Sequence, residues 1–240
     1  MKQYTFSTLG HTEALQYAAQ YLQDSSWQSD PDSVFVILPV PSFDAGGHII
    51  GTDWEPAFPQ NCTVIGGNLP SPQFPTQQTI DLLQDPIYLA KNAAITAQCA
   101  VNLAMAQLPV TMYDCTALVI GWGRIGKYLA SLLKNMGAAV TVAARNPADR
   151  ALLLALGYQA VSIDAINPLH YRLIFNTVPA MLRSHYPGQS LKIDLASKPG
   201  LSGSNLIHAR GLPNRYAPES SGKLIAESII RIISGKEFTQ

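Results

Sequence analysis

Ala117-Leu-Val-Ile-Gly121-Trp-Gly123-Arg-Ile-Gly126 is the stretch whose reading decides the fold of this 240-residue chain. An apolar run leads into three glycines at G-x-G-x-x-G spacing. An amphipathic helix follows, with Ile125, Leu129, Leu132 and Leu133 on one face. A second apolar run, Val140-Thr-Val-Ala-Ala144, closes a strand–helix–strand unit at the length such a unit requires. Each glycine has its own task. Gly121 allows a tight turn, Gly123 lets the backbone approach a pyrophosphate, and Gly126 lets the helix pack close to the sheet. The first N–H groups of a helix have no intrahelical partner and lie at the positive end of its dipole. Gly121, Trp122, Gly123, Arg124, Ile125 and Gly126 are therefore expected to hold the diphosphate of a dinucleotide. A glycine turn without a ligand is the alternative.

The end of the second strand selects the dinucleotide. An NAD site usually carries Asp or Glu there to hold the ribose hydroxyls. This strand ends Ala144-Arg145-Asn146, with no carboxylate. Arg145 can pair bidentately with a 2′-phosphate, and Asn146 and Arg124 can add donors. The expected cofactor is NADP(H). A solvated arginine at a strand end is the bland reading of Arg145.

Outward from this unit the chain alternates. Strands are expected at 116–120, 139–144, 158–161, 173–176 and 191–194, and helices at 124–136 and 148–156, which implies a parallel sheet with helices on both faces. A last helix at 218–233 carries Leu224, Ile225, Ile229, Ile230 and Ile233. Upstream, Thr12 can cap a helix bearing Leu15, Ala18, Ala19 and Leu22. A buried strand at 33–38 is stopped by Pro39 and Pro41, and a short one at 62–65 by Gly66-Gly67. Residues 41–60 and the proline-rich 68–75 read as loops, and 76–83 as a short helix. A long helix over 85–107 starts at Pro86, is apolar on most faces and stops before Pro109, the character of a helix packed between two domains. Residues 1–32 read as little more than one helix.

Sixteen basic residues balance sixteen acidic ones, so no field for nucleic acid or an anionic membrane surface follows. The charged fraction is 13%, against about 25% in a typical soluble domain. That is weak support for an oligomer or for a protein that works inside a complex. No apolar run reaches spanning length, and the stretch MKQYTFSTLGHTEAL lacks an apolar signal core. Cys62, Cys99 and Cys115 form no CxxC pair and read as reduced core thiols of a cytoplasmic protein. His11, His48, His170, His185 and His208 are scattered without metal-ligand spacing, so no metal is assigned.

Several motifs occur in one order: Gly121-Trp-Gly-Arg-Ile-Gly126, Gly137-Ala-x-Val-x-Val-x-Ala-Arg145, Asn176-Thr-Val-Pro179, Asp194-Leu-Ala-Ser-Lys-Pro-Gly200, Gly211-Leu-Pro213 and Ala217-Pro-x-x-x-Gly222. With Val36-Ile-Leu-Pro-Val40 and Asn92-Ala-Ala-Ile-Thr96 upstream, the set resembles the A subunit of dipicolinate synthase, a sporulation enzyme. The resemblance covers 34–40 loosely and about 86–235 well. It implies oxidation of dihydrodipicolinate to dipicolinate with NADP⁺, made together with a small flavoprotein-like B subunit. It also implies an α/β fold like that of the D-2-hydroxyacid and alanine dehydrogenases. In that fold a Rossmann-type doubly wound sheet (109–217) and a smaller α/β N-terminal domain (1–85) are bridged by two long helices (86–108, and 218–240 returning to the N-terminal domain). This chain departs from the family in three places. It has no clear first strand, so its N-terminal domain looks shortened. Gln98 stands where the family has Glu. The segment between Gly200 and Gly211 is too short for a helix.

In such a fold the nicotinamide lies at the carboxyl ends of the strands. Three loops are expected to converge there: Asn176, Thr177, Val178 and Pro179; Asp194, Leu195, Ala196, Ser197 and Lys198; and Leu212 with Pro213. Aromatising a dihydropyridine needs a hydride acceptor and a proton acceptor. Asp194, Lys198 or a water can take the proton. Two substrate carboxylates can be met by Lys198, Arg215, Ser197 and Thr96. Asp194 can equally cap its own loop, and Lys198 can be solvated. Ser42 and Asp44, in a Gly-rich loop after the first-domain strand, can face the same cleft, but an ordinary surface loop is the favoured reading. No His follows Gly211, which counts against a hydroxyacid dehydrogenase. A non-catalytic NADP(H)-binding subunit or sensor, or a dehydrogenase for another small carboxylate, are the alternatives.

Overall fold

The computed structural model describes residues 4–53, 58–59, 61–70, 74, 77–182, 186 and 188–235. His185, residue 76 and two prolines of the expected 68–75 loop lie outside them. The chain divides into two compact units, Met1–Asn92 with Pro213–Gln240, and Ala93–Leu212.

The first unit is built on a parallel sheet. Strand β1 spans Thr5–Thr8 and leads into helix α1, Glu13–Asp24, whose first turn is capped by Thr12 Oγ1 accepting from Leu15 N at 3.1 Å. β2 (Gln28–Ser29), β3 (Phe35–Ile37), β4 (Thr63–Gly66) and β5 (Gln78–Asp81) follow, in the spatial order β2-β1-β3-β4-β5. Two expectations fail here. The strand that residues 1–32 seemed to lack exists as β1 and sits inside the sheet, between β2 and β3. Its four residues bury only Phe6, and Thr5 spends its hydroxyl on Ser33 Oγ at 3.1 Å. So short and polar a strand has no hydrophobic run to betray it. The helix expected at 76–83 is instead β5 followed by a 3-10 turn, Leu82–Gln84. β5 is held by pairing with β4, a tertiary contact that overrides local propensity. Asp81 fixes the exit: its carboxylate accepts from Asn68 N, Leu69 N and Leu83 N at 2.9–3.1 Å.

Helix α2, Pro86–Gln107, begins in the first unit and continues into the second. Asp85 caps it, accepting from Tyr88 N at 2.9 Å, and also meets Arg231. Arg231 belongs to α6, Pro218–Ser234, whose Glu227 meets Lys91 of α2 at 3.5 Å. α6 packs along α1, with Gly222 set close against the α1 backbone. A Cβ there would lie 2.5 Å from Ala14 O and 2.8 Å from Ala18 N, both backbone. Gly222→Ala must push two helices apart and is expected to cost about 3 kcal/mol, read as a lower urea midpoint. An unchanged midpoint would contradict this close approach.

The sheet of the second unit starts after the 3-10 turn Met112–Asp114. β6 (Thr116–Ile120), α3 (Arg124–Asn135), β7 (Ala139–Ala143), α4 (Pro147–Ala155), β8 (Gln159–Val161), β9 (Leu173–Asn176), β10 (Leu191–Asp194) and β11 (Leu206–His208) follow as the alternation predicts. They form one parallel six-stranded sheet in the order β11-β10-β9-β6-β7-β8. This is the doubly wound arrangement of Rossmann folds. Leu118, Ile120, Ala143, Ile174 and Leu201 form a core on one face. Between Gly200 and Gly211 there is β11 and no helix, as the short spacing requires. α5, Leu212–Tyr216, is a single short helix after β11.

Candidate functional site

In the doubly wound sheet the strand order reverses between β6 and β9, and their carboxyl ends are where such folds bind ligands. The chain is tightly drawn there. Ile120 O, the last carbonyl of β6, accepts from both Thr177 N and Thr177 Oγ1 at 2.9 Å. Gly121 turns away with φ +105°, a conformation that favours glycine, and a Cβ on it would lie 2.4 Å from Thr177 Oγ1. Gly126 lies over the same turn, where a Cβ would come within 2.1 Å of Gly121 O. Gly123 is different: nothing lies within 4 Å of its would-be Cβ, so its hydrogen faces open space.

Gly123 is also the N-cap of α3, and no side chain caps that helix. α1 and α4 are capped by Thr12 and Asn146. The amides of the first turn of α3 therefore remain available to an acceptor from outside. A second observation points the same way. Trp122 Nε1 is buried and has no hydrogen-bond partner among the described residues. Its ring is held edge-on to Tyr158 at 6.0 Å, with Lys127 Nζ 5.7 Å from its centroid. A buried donor left unpaired costs about 1–3 kcal/mol. The open cap, the space over Gly123 and the orphaned indole N–H all fit a ligand rich in acceptor oxygens, such as a dinucleotide diphosphate.

At the end of β7, Arg145 is exposed, and its side chain makes no hydrogen bond or ion pair with any described residue. Asn146 is partly committed: its Oδ1 caps α4, accepting from Ala148 N at 2.9 Å, which leaves only Nδ2 as a donor. Arg150 went unnoticed in the sequence. Its Nη1 donates to Ala144 O at 2.8 Å and to Arg145 O at 2.7 Å. Helical spacing from the strand end was the only signal for it.

The loops after β9 and β10 are joined by one buried carboxylate. Asp194 Oδ1 accepts from Asn176 Nδ2 at 2.9 Å and Ala196 N at 3.1 Å; Oδ2 accepts from Gly200 N at 2.7 Å and Leu201 N at 3.0 Å. Asp194 is 1% exposed. Asn176 in turn donates to Val178 O at 3.1 Å and accepts from Val178 N at 3.0 Å. Of the two roles open to Asp194, the bonding is that of a loop-shaping carboxylate. Leu195 and Ala196 are buried, Thr177 and Val178 half-buried, and Pro179, Ser197 and Lys198 exposed. Arg124 is exposed at the start of α3, and Ile125 is half-buried. Leu212 is buried in the second unit, while Pro213 and Arg215 belong to the first. Thr96 is on the part of α2 that belongs to the second unit. In the first unit Ser42 is buried, donating to Pro39 O at 2.8 Å and accepting from Gly67 N at 2.9 Å. Asp44 organises an exposed loop, and the His48 amide bonded to it holds its carboxyl below the ordinary range.

Two further features escaped the sequence reading. Lys192 of β10 is fully buried, with Nζ donating to Ser190 O at 3.3 Å, and burial pushes its ammonium below the ordinary lysine range. A cavity of about 450 Å³ lies at the opposite, amino-terminal end of the sheet, beside Thr116, Arg172 and Gln189. Among the described residues no cluster of His, Cys, Asp and Glu could hold a metal, and no helix is long and apolar enough to cross a membrane.

No family model and no curated protein matches the chain. Solved structures do. The A subunit of dipicolinate synthase from Bacillus halodurans superposes with a TM-score of 0.83 at 19% identity, covering 95% of this chain and 97% of that one. Its counterpart in dipicolinate synthase from Bacillus subtilis gives the same TM-score and identity, over 98% and 97%. A transhydrogenase from Sinorhizobium meliloti follows at 0.65 and 10% identity, over 96% and 93%. The chain therefore has the fold of the dipicolinate synthase A subunit, as its ordered motifs implied. The first strand that residues 1–32 seemed to lack is in place as β1.

Proposed function

We propose that this chain is an NADP(H)-dependent oxidoreductase of the dipicolinate synthase type, acting on a small dicarboxylate such as dihydrodipicolinate together with a flavoprotein-like B subunit. The observation that carries the reading is the turn from β6 to α3: two glycines that admit no Cβ, one that faces open space, and a helix start without a side-chain cap. There the amides of 123–126 bind the diphosphate. Arg145, exposed and uncommitted, takes the 2′-phosphate. NADP⁺, when bound, supplies the hydride acceptor.

The chain's own groups do the rest. Lys198, Ser197 and Thr96, all of the second unit, meet the substrate carboxylates. The proton released on aromatisation goes to water, since Lys198 serves as a cation toward the carboxylates. Asp194 is withdrawn from that role, because four donors already occupy its buried oxygens; it positions the loop that carries Ser197 and Lys198. The saturation of Asp194 also favours one second reading, an NADP(H)-binding protein without catalysis. Mixing the chain and its partner with dihydrodipicolinate and NADP⁺ separates the two. A rise in NADPH absorbance is expected; tight NADPH binding with no turnover on any dihydropyridine would favour the second reading.

The cofactor choice has a separate check. Arg145→Ala is expected to weaken NADPH binding by about 1.5–3 kcal/mol, the worth of a charge-assisted contact, and to leave NADH nearly unchanged. Calorimetry with both ligands measures this. An equal loss for both would remove the case for NADP(H).

A further inference from the structure

We propose that Arg150 readies the end of β7 for a 2′-phosphate, positioning Arg145 and adding guanidinium donors of its own. The inference rests on the NADP(H) reading above and goes beyond it, since neither the strand-end motif nor the glycine pattern points to position 150.

The side chain of Arg150 reaches back over the start of α4, where one nitrogen, Nη1, donates to both Ala144 O and Arg145 O at 2.8 and 2.7 Å. Three consequences follow. The two carbonyls at the strand end would present negative dipole ends to an arriving phosphate; Arg150 sets a full positive charge on them. The backbone of Arg145 is fixed, so its exposed side chain starts from a defined point and has less freedom to lose on binding. The remaining donors of Arg150, Nε and Nη2, make no hydrogen bond with any described residue. A guanidinium carries five donors in a rigid fork, so one face can hold carbonyls while the other receives a phosphate oxygen. Asp149, the neighbouring carboxylate in the first turn of α4, forms no ion pair with Arg145 or Arg150. Asn146 caps the helix, so the turn does not need Arg150 for that purpose.

A residue that only braced the turn would affect every adenine nucleotide alike. The test therefore compares adenosine 2′,5′-bisphosphate with 5′-AMP by calorimetry on the full chain, wild type, R145A, R150A and R150K, with a thermal melt of each. Wild type should prefer the bisphosphate. R150A should lose roughly tenfold or more on the bisphosphate and less than about twofold on 5′-AMP, the size of one charge-assisted contact. R150K, whose ammonium can hold the carbonyls but has no fork, should fall between, and it decides alone if R150A does not fold. Equal losses on both ligands, or R150 variants that keep the full preference while R145A loses it, overturn the role of Arg150 alone. A wild type without preference for the 2′-phosphate overturns the NADP(H) reading, and this inference with it.

Discussion

Gly126→Ala abolishes dinucleotide binding and weakens the Rossmann unit, while Gly123→Ala abolishes binding and leaves the unit intact: that is the expected contrast, and it follows from what each Cβ would meet. At Gly126 the new carbon would stand 2.1 Å from Gly121 O. The obstacle is backbone, not a side chain that can swing away. α3 must lift off the turn, at about 3 kcal/mol of stability. The amides that cradle a diphosphate move with it, and a displacement of about 1 Å is enough to lower function by roughly a hundredfold. At Gly123 a Cβ would meet nothing within 4 Å beyond its own chain neighbours, and φ is −79°, which alanine adopts freely. Alanine is a poorer N-cap than glycine, so a loss of about 0.5–1 kcal/mol is expected, well short of that at Gly126. Only a ligand seated against that backbone would meet the methyl group. Thermal melts and NADPH calorimetry on both variants give the comparison. Wild-type binding by Gly123→Ala would mean that nothing approaches this face.

The second large effect is expected at Asp194. Removing its carboxylate by Asp194→Ala leaves four donors buried without acceptors: Asn176 Nδ2 and the amides of Ala196, Gly200 and Leu201. Each unsatisfied donor costs about 1–3 kcal/mol. Water can reach some of them once the side chain is gone, so a net loss of about 4 kcal/mol is expected. Asp194→Asn should be little better. Each oxygen of Asp194 accepts two N–H groups, so either orientation of the amide turns its NH₂ toward two donors. A general base would behave differently: Asn in its place would fold normally and lose turnover. Chemical denaturation of the two variants settles which role Asp194 has. An Asn variant of wild-type stability with no activity would return it to catalysis.

Much of the Rossmann unit was legible because its signals are local. β6 and β7 are five-residue strands that are apolar but for one threonine each, the glycines punctuate them, and the alternation of strand and helix gave β8, β9 and β10. The glycine tasks read from spacing match the contacts at Gly121 and Gly126. What stayed hidden was set by tertiary partners. β1 is four residues long with one buried side chain, and only its neighbours β2 and β3 make it a strand. β5 looked helical because its pattern is short; pairing with β4 decides it. Asn146 was read only as a phosphate donor, although its position just before Pro147 is also that of a helix cap. The two roles of Asp194 could not be told apart until its four donors were in place. Arg150 needed three dimensions: five residues separate it from the carbonyl it holds at Arg145.

Calorimetric titration of the wild-type chain with NADPH tests the central claim most directly. Saturable heat from one site, with a dissociation constant well below ~1 mM and lost in Gly123→Ala, is the predicted result. Absence of heat with NADPH, NADP⁺, NADH and NAD⁺ alike up to millimolar ligand would contradict the account at its root.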